Sequence, residues 1–192
     1  MPRNLKLYIT GLVATSALAL GATSLVFPGL SAWPLGVDPA IGIPLTLIPG
    51  LDPAALGLDP ATGAIVAGLA FWALIALVAS AFPVVMPRLS VVSVSIAPIV
   101  AAMVLGGPVA AGWIAAVGTT ELRELRGRVP WYGTLVNHSV LTLPAIAGGL
   151  AVWGIRGGSD STLLGFVATM VGATIFHVGN VLLAGLGVAL RE

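Results

Sequence analysis

The chain has 192 residues, of which 58% are hydrophobic and only 8% are charged, and its mean hydropathy is +1.08. Soluble domains carry about 25% charged residues, so this composition excludes a soluble globular domain. A net charge of +1 gives no reason to expect a nucleic-acid partner, and the lack of cysteine excludes disulfides. We therefore predict an all-α fold, a polytopic bundle of membrane helices.

The first predicted span covers residues 7–27. This apolar run is longer than the core of a signal peptide, which favours a retained helix over the alternative of a cleaved leader. Residues 28–60 are rich in Pro and Gly and contain three Asp-Pro-Ala repeats, at Asp38, Asp52 and Asp59. Because proline removes a backbone donor and restricts the residue before it, we predict an outer loop here. This loop either lies outside the bilayer or is partly embedded in it.

The rest of the chain contains three further apolar regions after the second span at 61–82. The region 89–120 is divided by a predicted turn at Gly106–Pro108, and each arm is about 22 Å long, which is short for a hydrocarbon core of about 30 Å. The last two spans are predicted at 131–154 and 162–190. The sequence thus predicts one transmembrane domain over residues 1–192, with about six helices.

The distribution of charge predicts the orientation, because basic residues accumulate at the cytoplasmic ends of spans. With the N-terminus in the cytoplasm, six crossings leave only Arg156, of eight Lys and Arg residues, on the outside. All four Asp residues then also lie outside. We therefore predict that both termini and a charged loop at 121–130 are cytoplasmic.

The charged loop concentrates five of the fifteen charged side chains of the protein in eight residues. They are Glu121, Arg123, Glu124, Arg126 and Arg128. The aromatic residues Trp131 and Tyr132 follow, and we predict that they anchor the next helix at the membrane interface. Two interpretations stay open for the loop. Its charges are either an orientation signal solvated by water, or a surface that docks and couples to a cytoplasmic partner.

Four Asn and His residues fall inside the last two predicted spans. Asn137 and His138 lie in the fifth, and His177 and Asn180 share one face of the sixth at i and i+3. Because polar groups in hydrocarbon face a bundle interior, we predict that Asn137 and Asn180 meet across the two helices. The four residues either fix helix packing through hydrogen bonds, or line a pocket for a small ligand or a proton.

The sequence contains no recognisable catalytic motif, and the two histidines have no carboxylate close by in sequence. We therefore predict no metal site, no cofactor and no enzymatic activity for this chain.

Several motifs of the second half occur together in one known kind of region. They are the Gly107-Pro108 turn, Gly118, Glu121, the basic pair Arg126 and Arg128, the step Pro130-Trp131-Tyr132, Asn137, and Asn180 in the last helix. The stretch "APIVAAMVLGGPVAAGWIAAVGTTELRELRGRVPWYGTLVNHSVLTL" resembles the membrane-embedded sensor region that precedes HD-GYP phosphodiesterase or GGDEF diguanylate cyclase domains in bacteria. The resemblance covers roughly residues 90–192.

This resemblance implies a sensory or anchoring domain of the bacterial inner membrane. It would couple a membrane or external cue to a cytoplasmic cyclic-di-GMP phosphodiesterase or cyclase domain beyond residue 192. The implied partners are the lipid bilayer, a small-molecule ligand, the output domain and a second copy of the chain. Two alternatives stay open: the substrate-binding subunit of a vitamin-uptake transporter of the energy-coupling-factor kind, and a purely structural membrane anchor.

Overall fold

The computed structural model describes residues 1–26, 38–44, 57–82, 84–85, 91–92 and 94–191. Its helices are α1 (Arg3–Val26), a 3₁₀ helix (Pro39–Ile41), α2 (Pro60–Ala81), α3 (Ile96–Gly118), α4 (Leu122–Leu125), α5 (Trp131–Arg156) and α6 (Thr162–Ala189). One short antiparallel pairing joins β1 (Val84–Val85) to β2 (Val91–Val92). The described part is otherwise helical, as predicted.

Five of these helices, all except α4 and the 3₁₀ turn, are long and apolar enough to cross a membrane, with 22 to 28 residues each. Their packing has a clear centre. In the most apolar stretch of each helix, the share of buried residues is 61% for α3 and 50% for α5, but only 17% for both α1 and α6. Helices α3 and α5 therefore form the core of the bundle, and α1, α2 and α6 surround it.

The central helix α3 is interrupted at Gly107. The backbone there has φ 75° and ψ −167°, a region that essentially only glycine adopts, and it separates two arms, 96–106 and 108–118. A Cβ built on Gly106 would lie 2.5 Å from the Cβ of Ala110, whereas such positions are about 5–6 Å apart in a continuous helix. The bend is therefore sharp, and the turn predicted at Gly106–Pro108 is confirmed.

The two arms run in opposite directions. Ser95, before the first arm, and Thr119, after the second, line the same cavity. Gly107 instead lines a cavity beside Asp160, in the turn that joins α5 to α6. Helix α3 is therefore a hairpin whose two open ends point to one end of the bundle and whose bend points to the other.

Both chain termini lie at the end of the bundle that the hairpin opens toward. Met1 and Arg191 line a cavity there together with Glu121 and Arg128. We call this the terminal end, and the opposite end, with the turn between α5 and α6, the distal end.

Each arm of the hairpin is short compared with a bilayer. It has about eleven residues and is about 16 Å long, roughly half of the 30 Å of a hydrocarbon core. Among the described residues, five helices are apolar enough and long enough in sequence to span a membrane, and one of them, α3, is folded on itself at Gly107. The hairpin begins at Ile96 and not at residue 89, because β1 and β2 lie before it.

Two of the three Asp-Pro-Ala repeats begin helices. The Asp59 carboxylate accepts hydrogen bonds from the backbone of Ala61 and Thr62 at the start of α2, and Asp38 accepts one from Ala40. Aspartate is a preferred N-cap and proline suits the first helical position. The pKa of Asp59 lies below its usual value, chiefly because the carboxylate also accepts a hydrogen bond from the Thr62 hydroxyl. The third repeat, at Asp52, lies outside the described residues.

The segment 38–44 packs into the distal end of the bundle. Ile41 is only 2% exposed, and a Cβ built on Gly68 or Gly106 would clash with it. The backbone N–H of Asp38 donates to the Gly106 carbonyl (3.3 Å), and that of Ile43 donates to Ala64 (3.0 Å). This part of the predicted outer loop is therefore embedded between α2 and the hairpin.

Candidate functional site

The loop that follows the hairpin starts inside the bundle. His138 lies seven residues into α5, about 10 Å from its first residue, and its ring Nδ1 is 3.3 Å from the hydroxyl of Thr119 at the end of the second arm. The open end of the hairpin is thus recessed relative to α5. The short helix α4 occupies the space between the end of the hairpin and the start of α5. Its charged residues therefore lie deeper in the bundle than the first residue of α5.

Glu124, the third residue of α4, is the charged residue that enters this recess. Its Oε2 accepts a hydrogen bond from the backbone N–H of Glu121 (3.2 Å), as the glutamate of a capping box does. Its Oε1 accepts a hydrogen bond from the Asn137 amide (3.2 Å). The side chain of Glu124 is only 3% exposed. The interpretation that water solvates all of the loop charges is therefore wrong for Glu124. Because the hairpin ends inside the bundle, the loop that follows it begins there, and Glu124 is buried.

The ring of His138 connects the Glu124 carboxylate to the hairpin. Its Nε2 lies 3.0 Å from Oε2 of Glu124, and its Nδ1 lies 2.6 Å from the carbonyl oxygen of Ala116. A carbonyl oxygen only accepts, so Nδ1 must carry a proton. The Nε2–Oε2 distance is that of a direct hydrogen bond between the two side chains, which are 14% exposed at His138 and 3% exposed at Glu124.

We call Glu124, Asn137 and His138 the carboxylate cluster. It joins three elements, because Glu124 belongs to α4, the other two residues belong to α5, and His138 contacts the last turn of α3. No group of three or more His, Cys, Asp and Glu residues that could hold a metal occurs in the described part of the chain.

The polar residues predicted in the last helix lie near this cluster but outside it. His177 and Asn180 line a cavity of about 340 Å³ together with Asn137, Thr119 and Ser95. The Asn137 amide donates a hydrogen bond to Glu124, and Asn137 and Asn180 line the same cavity. His177 is exposed at the side of α6.

The other charged residues of the loop remain at the surface. The Arg123 guanidinium pairs with the Glu121 carboxylate, and the two side chains are 67% and 28% exposed. Arg126 and Arg128 are exposed. Trp131 is 75% exposed at the start of α5 and packs edge-to-face on Tyr132, an arrangement typical of interfacial aromatic residues.

Sequence reasoning missed Thr119 and the Ala116 carbonyl. Thr119 is 2% exposed and its hydroxyl donates to Ala115 (2.7 Å). The available signal was the pair Thr119-Thr120 directly after a glycine at the end of an apolar run, which marks the end of a helix but not its depth in the bundle.

A second cavity, of about 410 Å³, opens at the distal end. Its lining includes Asp38, Trp153, Arg156 and Asp160. It is separated from the carboxylate cluster by the length of the hairpin.

No protein-family model matches the chain, and no curated protein or solved structure matches it significantly.

Proposed function

We propose that the chain is a membrane-embedded sensory domain of a bacterial signalling protein, located in the inner membrane with both termini in the cytoplasm. In this proposal it transmits a change in its helix bundle to a cyclic-di-GMP phosphodiesterase or cyclase domain that follows residue 192. The observation that carries the proposal is the buried carboxylate cluster. The sequence resemblance supplies the kind of output domain.

The cluster is suited to transmission because it fixes a surface loop to the inside of the bundle. Glu124 is held by Asn137 and His138 of α5, and His138 is held by the Ala116 carbonyl of the hairpin. A movement of α5 relative to the hairpin alters these contacts and moves α4. Arg128 of the loop and Arg191 at the C-terminal end of the described chain line one cavity, so such a movement occurs where an output domain would be connected.

The gene beyond codon 192 provides the first test. An HD-GYP or GGDEF domain is expected there, and a stop codon would contradict the proposal.

The matched variants Glu124→Gln and Glu121→Gln in the full-length protein test the coupling itself. Both remove one negative charge from the loop, but only the Glu124 carboxylate is bonded to α5. We expect Glu124→Gln to change cyclic-di-GMP turnover in membrane vesicles by at least about fivefold, the low end of typical coupling energies, and Glu121→Gln to change it much less. Equal turnover in the wild type and in Glu124→Gln would rule out the coupling role.

The orientation is tested by cysteine labelling of intact cells, which is direct because the chain has no cysteine of its own. We expect a membrane-impermeant maleimide to label Asp59→Cys and Asp160→Cys from outside and to leave Arg126→Cys unlabelled until the cells are opened. Labelling of Arg126→Cys in intact cells, with Asp59→Cys protected, would reverse the orientation.

The distal cavity favours a second candidate function, the substrate-binding subunit of a vitamin-type transporter. Its polar lining of Asp38, Arg156 and Asp160 would face outward in the proposed orientation, where such subunits receive their ligands. A stop codon after residue 192 together with saturable uptake of a small molecule would favour this candidate over the sensor.

A further inference from the structure

A groove between three helices at the terminal end joins a basic site to an apolar slot. The basic part is a cavity of about 710 Å³ whose lining includes Arg123, Arg128 and Arg191. The apolar part is a slot of about 230 Å³ between α1, α5 and α6. Six residues line both, namely Leu5, Ile9, Tyr132, Gly133, Asn137 and Arg191. The two cavities are therefore one continuous groove.

The side chains at the head of this groove carry a net positive charge, because three arginines and two glutamates line it. Glu121 and Glu124 also line the cavity, but the first pairs with Arg123 and the second with His138. Among the residues that the structure describes, Arg128 and Arg191 have no carboxylate partner. Two guanidinium groups thus remain available for an anion, and guanidinium binds phosphate with paired hydrogen bonds.

The tail of the groove is more apolar than its head and lies between α1, α5 and α6. Its walls include Val136, Val140, Leu183 and Ala184, and Ala184 is exposed. Tyr8 also lines the slot, and its hydroxyl donates a hydrogen bond to the Leu183 carbonyl. The slot therefore offers apolar surface for a hydrocarbon chain.

We propose that this groove is a binding site for an anionic phospholipid, with the phosphate at Arg128 and Arg191 and one acyl chain in the slot. An anion and a hydrocarbon chain in one molecule match the two parts of the groove. A free phosphate or an acidic peptide would fill only the basic part. Basic pockets between helices near an anionic membrane surface bind lipid head groups in this way.

Native mass spectrometry of the full chain, released from nanodiscs of equimolar dioleoyl-phosphatidylglycerol and dioleoyl-phosphatidylcholine, tests the site. We expect the phosphatidylglycerol adduct to exceed the phosphatidylcholine adduct by about tenfold or more, since each basic residue favours anionic lipid. The double variant Arg128→Gln/Arg191→Gln should lose this preference. Arg126→Gln removes the same charge from the same loop outside the groove lining, and it should keep the preference.

Two further variants separate the lipid from a simple anion and from misfolding. Ala184→Phe fills the slot with both arginines intact, and it should also reduce the phosphatidylglycerol adduct about tenfold. Arg128→Lys/Arg191→Lys keeps the charge but loses the paired hydrogen bonds, and it should retain part of the preference, because lysine binds phosphate as a point charge. The proposal is overturned if the wild type does not prefer phosphatidylglycerol, or if the glutamine double variant behaves like Arg126→Gln. It is also overturned if Ala184→Phe has no effect, or if inorganic phosphate displaces the lipid at equal concentration, because the site would then bind anions alone.

Discussion

Replacing Glu124 with alanine is expected to lower the free energy of unfolding by about 2–4 kcal/mol. The change removes the acceptor for the Asn137 amide, the His138 ring and the Glu121 backbone N–H. A hydrogen bond to a charged group contributes about 1.5–3 kcal/mol, and the three losses overlap because they share one carboxylate. Reversible unfolding of the purified chain in mixed micelles would measure the effect.

The matched control for this variant is Glu121→Ala, three residues earlier in the same loop. The Glu121 carboxylate pairs with an arginine side chain that is 67% exposed, and pairs of that kind contribute about 0–1 kcal/mol. The substitution leaves the Glu121 backbone N–H in place for Glu124. If both variants lost the same small amount, Glu124 would not be buried in a hydrogen-bonded cluster.

A double-mutant cycle of Glu124→Gln and His138→Gln isolates the contact between the two side chains. Groups in one hydrogen-bond network show coupling energies of about 0.5–3 kcal/mol, and we expect the upper half of that range for this buried pair. Strictly additive losses would show that the two side chains do not interact.

Replacing Gly107 with alanine is expected to cost about 3 kcal/mol, the top of the range for a residue held in a disfavoured backbone region. The Cβ has free space, since nothing lies within 4 Å of its position, so the cost comes from the backbone angles alone. Relaxation into a straight helix is opposed by Pro108, because the residue before a proline avoids the α region. The same unfolding measurement reports the loss.

The control for the backbone effect is Gly11→Ala. Gly11 lies within α1, and its added Cβ also meets nothing within 4 Å. Since alanine is a better helix former than glycine, this variant should be as stable as the wild type or more stable. A Gly107→Ala protein that matched Gly11→Ala would mean that residue 107 does not hold the glycine-specific backbone angles of φ 75° and ψ −167°.

The sequence predicted most of the helices because hydrophobic length decides them. The bounds predicted for the spans after residue 130 differ from α5 and α6 by at most two residues, and the Gly-Pro signal correctly located the bend. The N-cap role of Asp38 and Asp59 was not predicted, although an aspartate followed by proline is a local signal for the start of a helix.

The carboxylate cluster was not predictable from the same patterns. Glu124 and His138 are fourteen positions apart, and Glu124 stands in a run of alternating charges that is typical of a solvated surface. Its burial depends on how far the hairpin arms reach along α5, which is a tertiary property. The length of each arm was visible in the sequence, but its depth beside His138 depends on packing that no local pattern records.

The hairpin also bears on whether the number of membrane crossings is even or odd. A segment that enters and leaves a bilayer at the same face contributes an even number to the crossing count, however deep its bend reaches. Helices α1, α2, α5 and α6 alone therefore determine on which side each end of the chain emerges. Four crossings with an inserted hairpin and six full crossings consequently place the same basic residues on the same side of the membrane. A reporter fused to either terminus cannot distinguish the two topologies. Only a label placed near Gly107 itself can.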